Sequence, residues 1–395
     1  MAKKRLERRD LRLPQELVDA IILELRDDAP SLTACSKTAR AFRIPCQRRI
    51  FRELMIDTEE SGYRNNYQRA SELLASSPHL EAYVRKLTTT CPTEQKDICA
   101  FESVLRVLRS VRRLTISGPG SLVWRNLSSD FTSALFDFMT LSPLDRVNLM
   151  NMVEVPSSLV CHAASSTRVL ELNAQSIHED SAVKPSPPKA QLEHLIFSSR
   201  CVHYRGRLIA MLGQAGYLGN TRRLSISLAE WEREGVFDSL PATLRHLEIN
   251  YNSFTRFRHM LAIPKIVGLQ VLELGVNLSM SRSPPQYLGH ILSKLPEFAP
   301  LVERIVLKFT IIPCIPEAPW IHHGVWPVFD VGFVERRQLP RLRNVTCCLQ
   351  LAMDYFYGDD SVSYEGFVAA MERKLPGLTG TNMLAFTRGN GNSGD

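Results

Sequence analysis

SVRRLTIS (residues 110–117), LEHLIFS (192–198), LRHLEIN (244–250) and LQVLELG (269–275) share one pattern: an apolar residue, two intervening positions, an apolar anchor, and another apolar residue two places on. Indexed by its anchor, the unit recurs at Leu87, Leu114, Val147, Leu170, Leu195, Leu224, Leu247, Leu272, Ile305 and Val345. Ten copies exceed chance, and alternation with period two makes each copy a short strand whose anchors point to one face. Between them lie stretches with helical apolar spacing: 98–111 (Ile98, Phe101, Leu105, Leu108), 131–141 (Phe131, Leu135, Phe138) and 207–218 (Leu208, Met211, Leu212, Ala215). The same spacing appears in 287–295 (Leu288, Ile291, Leu292, Leu295) and 362–375 (Phe367, Met371, Leu375). Strand then helix, repeated, builds a parallel sheet on one side and helices on the other. The expected fold class is therefore α/β, a horseshoe with a curved parallel sheet and outer helices, its ends capped by helices around 65–76 and 362–375.

Successive anchors are 27, 33, 23, 25, 29, 23, 25, 33 and 40 residues apart, against roughly 20–29 in regular leucine-rich repeats. The array thus resembles an irregular leucine-rich-repeat solenoid, expected over residues 55–385. Pro- and Ser-rich stretches at 174–191, 281–286 and 313–327 read as loops or insertions. Residues 386–395 read as a disordered tail, from the Gly/Asn/Ser run that starts at Gly389.

Length and charge limit the function classes. A chain of 395 residues can hold two or three domains. Its formal charge is +7, but residues 1–52 carry 13 basic and 7 acidic side chains, which is +6, so the rest of the chain carries only +1. A protein gripping nucleic-acid phosphates along its length would be basic in its main domain, and no nucleic-acid partner is expected. No run approaches 18 apolar residues, so no membrane span is expected, and MAKKRLERRD does not lead into a signal-peptide core. Nine scattered cysteines, none in a CxxC pair, read as reduced thiols of a cytoplasmic or nuclear protein, with Asn126, Asn277 and Asn344 unglycosylated. Residues 1–10 form a basic tail in which Lys3, Lys4, Arg5, Arg8 and Arg9 read either as a nuclear-import patch or as a solvated tail.

Residues 11–54 read as three short helices. Pro14 suits a first helical position and Glu16 the positive end of the helix dipole, while Leu17, Ile21, Ile22 and Leu25 form an apolar face. Ser31 reads as the cap of a second helix carrying Leu32, Cys35, Ala39 and Phe42, which Pro45 ends before a third helix with Ile50, Phe51 and Leu54. So small a unit sits near the limit of independent stability and is expected to dock on something. The order Leu13-Pro14-x-Glu16-Leu17, Ile21, Leu25, then Leu32-x-x-Cys35-Ser36-x-x-x-Arg40-x-Phe42 and Ile50-Phe51 resembles the F-box, especially of the fungal type. MERKLPGLTGTNMLAF (371–386) resembles the C-terminal end of fungal F-box repeat proteins. The resemblance implies a non-enzymatic substrate receptor of a cullin-RING (SCF-type) ubiquitin ligase. The F-box would bind the small adaptor subunit through Leu13, Pro14, Leu17, Ile21, Leu32, Cys35 and Phe51, and the repeats would hold a protein client. Lys37 and Ala39 stand where the family often has larger apolar residues. A rival reading makes 11–54 a cap on a ligase-independent repeat scaffold.

Catalytic chemistry is thin. Gly213-x-x-Gly216-x-x-Gly219 runs from helix to strand, the reverse of a dinucleotide loop, and there is no GxxxxGK[ST] or GxSxG. Cys314, His322 and His323 lack zinc-ligand spacing, and Asp354–Glu365 departs from an EF-hand at Phe356 and Gly358, so no cofactor or metal is expected. On the face opposite the anchors, the position before each anchor holds Lys86, Arg113, Arg146, Val169, His194, Arg223, His246, Val271, Arg304 and Asn344. Five of ten are basic, against 48 of 395 overall, and the position after the anchor turns acidic at Glu171, Glu248 and Glu273. Lys86, Arg113, Arg146, Arg223, Glu248, Glu273 and Arg304 are therefore candidate client contacts, the arginines for an acidic or phosphorylated segment. The alternative is that these charges solvate the sheet and pair with one another.

Overall fold

The computed structural model describes residues 13–25, 28–57, 66–119, 123–178, 180, 191–198, 204–228, 237, 240–251, 263–277, 286–311, 330, 339–351 and 364–389. The chain divides into two compact units, Met1–Ser117 with Leu127–Leu144, and Gly118–Asn126 with Asp145–Asp395.

The first unit opens with three helices, α1 (Gln15–Glu24), α2 (Ala29–Thr38) and α3 (Arg40–Ile50). Pro14 precedes the first helical residue, its carbonyl accepting from the N–H groups of Leu17 and Val18, instead of occupying the first helical position itself. Asp28, not Ser31, caps α2: its Oδ1 accepts from the Ser31 N–H at 3.0 Å, while Pro30 supplies a first-turn position that needs no donor. The break between α2 and α3 falls at the extended Ala39, and Pro45 lies inside α3. Phe42, Cys46 and Ile50 recur every fourth residue and pack with Val18, Ile22 and Leu32, and that shared core carries the helix through the proline.

Three parallel strands follow, β1 (Glu53–Ile56), β2 (Lys86–Thr90) and β3 (Arg113–Ser117), with Leu54 opposite Leu87 and Leu87 opposite Leu114. Leu54, expected in the helical module, is the buried anchor of a strand, so the sheet begins at Glu53. Helix α4 (Tyr67–Ser76) consequently lies between two strands of the sheet instead of capping its end. Its Tyr67 hydroxyl donates to the Thr90 carbonyl, and its ring meets Phe101 of α5 (Gln95–Val107) edge-on at 5.4 Å. Phe101 in turn stacks on Phe131 of α6 (Ser129–Leu141) at 5.6 Å.

The second unit contains β4 (Arg146–Met150), β5 (Val155–Pro156), helix α7 (Ser157–Ser166), β6 (Val169–Asn173), β7 (Ile177–His178) and β8 (His194–Phe197). It continues with α8 (Arg205–Gln214), β9 (Arg223–Leu228), β10 (His246–Tyr251), β11 (Val271–Asn277), α9 (Gln286–Phe298), β12 (Arg304–Ile311) and β13 (Asn344–Leu351). Helices α10 (Tyr364–Lys374) and α11 (Pro376–Gly380) and strand β14 (Leu384–Gly389) close it. Strands β4, β6, β8 and β9 to β14 pair in that order, all parallel, while β5 and β7 pair apart. Neighbouring anchors from Val147 to Val345 sit directly opposite one another, each at most 1% exposed.

Two boundaries move from their expected places. Residues 386–389, assigned to the tail, extend β14 and pair with β13, so α10 is followed by another strand and is not terminal. Helix α7 has no counterpart in the sequence reading. Its Ser157, Cys161, Ala163, Ala164, Ser165 and Ser166 are buried on all sides, which a search for a stripe of large apolar residues passes over. Residues 1–12, 181–190, 281–285, 312–329 and 390–395 lie outside the described residues, and with them the basic tail, most of the three Pro-marked stretches, and Cys314, His322 and His323.

Candidate functional site

Two surfaces carry the residues singled out above. On the N-terminal module, Leu13, Leu17 and Ile21 recur every fourth residue and are 49%, 51% and 39% exposed. Val18 and Ile22, their neighbours in the chain, take the core positions. The expected apolar face of Leu17, Ile21, Ile22 and Leu25 is therefore two faces: Ile22 and Leu25 pack inward, and Leu17 and Ile21 point out. Pro14 is exposed beside the stripe, and Cys35 and Phe51 are half-buried. Leu32 is only 2% exposed and belongs to the module's interior, so it can support a contact only from behind. Lys37 and Ala39 are both exposed.

In the second unit, the face of the sheet opposite the anchors carries an ion-pair network. Glu248 accepts from Ser225 Oγ at 2.7 Å and from Asn250 Nδ2 at 3.1 Å, and Lys308 Nζ donates to its Oε1 at 2.8 Å. Lys308 Nζ also lies 2.7 Å from Glu273 Oε2, and His246 Nε2 lies 3.0 Å from Glu273 Oε1. Arg223 Nη2 bridges the two acids, 3.0 Å from Glu248 and 3.7 Å from Glu273. His194 Nε2 reaches Ser225 Oγ at 2.9 Å.

Charge pairing overrides burial here. Desolvation pushes the Glu248 carboxyl up, but the Lys308 ammonium and the hydroxyl and amide donors hold it well below the usual carboxylate range. Glu273 meets the same opposition of burial against His246 and Lys308, and is held down at about 2. Lys308 is buried too, which favours its neutral form, yet the two carboxylates raise it. His194 is drawn down to about 4 by burial and by the Arg223 charge, so its ring is neutral at pH 7.

The pairs obey a geometric rule. Arg146, before its anchor on β4, reaches Glu171, after the anchor on β6, at 2.6 Å. Arg223 to Glu248, His246 to Glu273 and His194 to Ser225 repeat the same diagonal step to the next strand. Thr346, the diagonal partner of Arg304, carries no charge, and Arg304 stays exposed without an ion-pair partner among the described residues. In the first unit Lys86 pairs with Glu53 at 2.7 Å, and Arg113 is exposed without an ion-pair partner among the described residues. Arg113 and Arg146 fall in different units. Of the basic candidates, Lys86, Arg146 and Arg223 are thus engaged within the chain, and Arg113 and Arg304 have no ion-pair partner among the described residues.

Lys308 escaped the sequence reading because only the positions flanking each anchor were compared. It lies three residues past Ile305, still on the same face, and counting that third column would have found it. Gly275 occupies the same column on β11, where a Cβ would come within 2.0 Å of Asn250 Oδ1, so glycine makes room for the amide that donates to Glu248.

Among the described residues no group of three or more His, Cys, Asp or Glu could hold a metal ion, and no helix is long and apolar enough to cross a membrane. No family model and no curated protein matches the chain.

Proposed function

We propose that this chain is a non-enzymatic substrate receptor. Its N-terminal module docks on the small adaptor of a cullin-RING ubiquitin ligase, and its repeat sheet holds a protein client. The observation that carries the reading is the stripe of Leu13, Leu17 and Ile21: three large apolar side chains left in solvent, one just before α1 and two on the outer face of a helix that packs inward through Val18 and Ile22. Exposed leucines in register cost free energy in a monomer and are offset when a partner covers them. The reaction served is proximity, raising the local concentration of a client lysine near the ligase's ubiquitin-loading enzyme. On the client side, Arg113 in the first unit and Arg304 in the second are exposed cations without an ion-pair partner among the described residues, and in the second unit the paired network of Arg223, Glu248, Glu273 and Lys308 acts as a nearly neutral floor. Co-purification with the adaptor tests the reading. The wild-type chain retains the adaptor, and Leu13→Ala with Pro14→Ala loses it; a wild-type chain that fails to bind, or a double variant that binds as well, refutes it.

A further inference from the structure

The other flank of α1 carries a second surface of different character. Between α1 and α3 runs a groove of about 680 Å³. Four arginines of α3 and the residues after it, Arg40, Arg48, Arg49 and Arg52, line it, and Asp19 is its one acid, already accepting from Gln15 at 2.8 Å. Leu23 and Ile44, 59% and 50% exposed, supply apolar surface between the charges. At 3.6 residues per turn, Gln15, Asp19 and Leu23 fall on the side of α1 roughly opposite Leu17 and Ile21, with the core residues Val18 and Ile22 between them. The groove is therefore separate from the stripe assigned above to the adaptor, and does not depend on that assignment.

The arginines are not balanced by carboxylates among the described residues of the module. Arg48 lies over the Tyr83 ring at 5.7 Å, and none of the four has a carboxylate partner among the described residues. This contrasts with the face opposite the anchors in the second unit, where Arg146 and Arg223 each have their glutamate. The chain's first twelve residues hold six basic and two acidic side chains, so as a segment they add to the positive charge. We infer that the α1–α3 groove binds an acidic amphipathic segment of a partner protein, its carboxylates on Arg40, Arg49 and Arg52 and an apolar side chain against Leu23 and Ile44. The apolar component favours such a peptide over a phosphate backbone, which would pair with the arginines and leave Leu23 and Ile44 uncovered.

Fluorescence anisotropy of a labelled synthetic peptide, glutamates with leucines at helical spacing, measures this on the full-length chain. The peptide binds, more weakly as salt rises. Binding falls at least tenfold in the charge-reversed Arg40→Glu, Arg49→Glu, Arg52→Glu variant and in the milder all-Gln version, both checked for native circular dichroism. Leu23→Ser with Ile44→Ser lowers it as well. The inference is overturned if the peptide fails to bind, if the all-Gln variant binds equally, if the apolar substitutions have no effect, or if single-stranded RNA of equal charge binds more tightly than the peptide.

Discussion

Lys308→Met removes the ammonium that lies 2.8 Å from Glu248 and 2.7 Å from Glu273, while keeping an apolar stem of similar length. The two carboxylates it leaves are only 12% and 11% exposed. Burial pushes Glu273 up, and His246 and Lys308 together bring it from 4.5 to about 2, a difference in proton binding of roughly 3 kcal/mol. Taking one partner from a buried ionic cluster costs about 3–5 kcal/mol. Arg223 and His246 remain in place, which sets the expected loss at pH 7 near the lower end, about 3 kcal/mol. The pH dependence separates this mechanism from lost packing. In the wild type the folded-state value of Glu273 lies below the unfolded one, so its contribution is present above about pH 4.5 and disappears as pH falls toward 2. In the variant the carboxyls lose the Lys308 charge and rise toward their unfolded values, so less stability is lost as pH falls. Urea unfolding followed by far-ultraviolet circular dichroism at pH 7 and pH 4.5 therefore gives a wild-type-to-variant gap that narrows on acidification. A loss under about 0.5 kcal/mol at pH 7, or a gap that widens at pH 4.5, refutes the reasoning.

Other consequences follow from single positions. Gly275→Ala drives a Cβ into Asn250 and costs roughly 1–3 kcal/mol; adding Gly275→Ala to Asn250→Ala, which removes the obstructing amide, costs much less in the same unfolding assay. Leu32→Ala empties the module's interior and costs about 2–5 kcal/mol, whereas Leu17→Asp, on the exposed stripe, changes stability by under about 1 kcal/mol. Brief alkylation of the native chain modifies the exposed Cys99 and spares Cys91 and Cys347, whose thiols burial pushes up to about 12; mass spectrometry finds those two labelled only after unfolding.

The strand anchors were legible because a buried strand against helices imposes period two, and each anchor from Leu87 to Val345 is a buried core residue. The first strand of the first unit and the last strand of the second were not. Glu53–Ile56 follows directly on α3 and reads as its continuation, and Leu384–Gly389 runs into a Gly/Asn/Ser stretch and reads as tail. Helix boundaries erred where proline was weighed above packing: Pro45 is carried inside α3 by Phe42, Cys46 and Ile50. On the face opposite the anchors, sequence located the charged columns and allowed that they pair, but not which residue pairs with which. Whether an arginine is available depends on the residue one strand over and two places along, as Arg146 with Glu171 and Arg304 with Thr346 illustrate. That diagonal becomes visible only once register is known.

Titration calorimetry of the full-length chain against the purified adaptor subunit measures the central claim most directly. The account predicts a one-to-one complex with the wild type and its loss in Leu17→Asp with Ile21→Asp, a variant that unfolds at nearly the wild-type urea concentration because both side chains are already exposed. No heat of binding with the wild type, or an undiminished complex with the folded double variant, would contradict it.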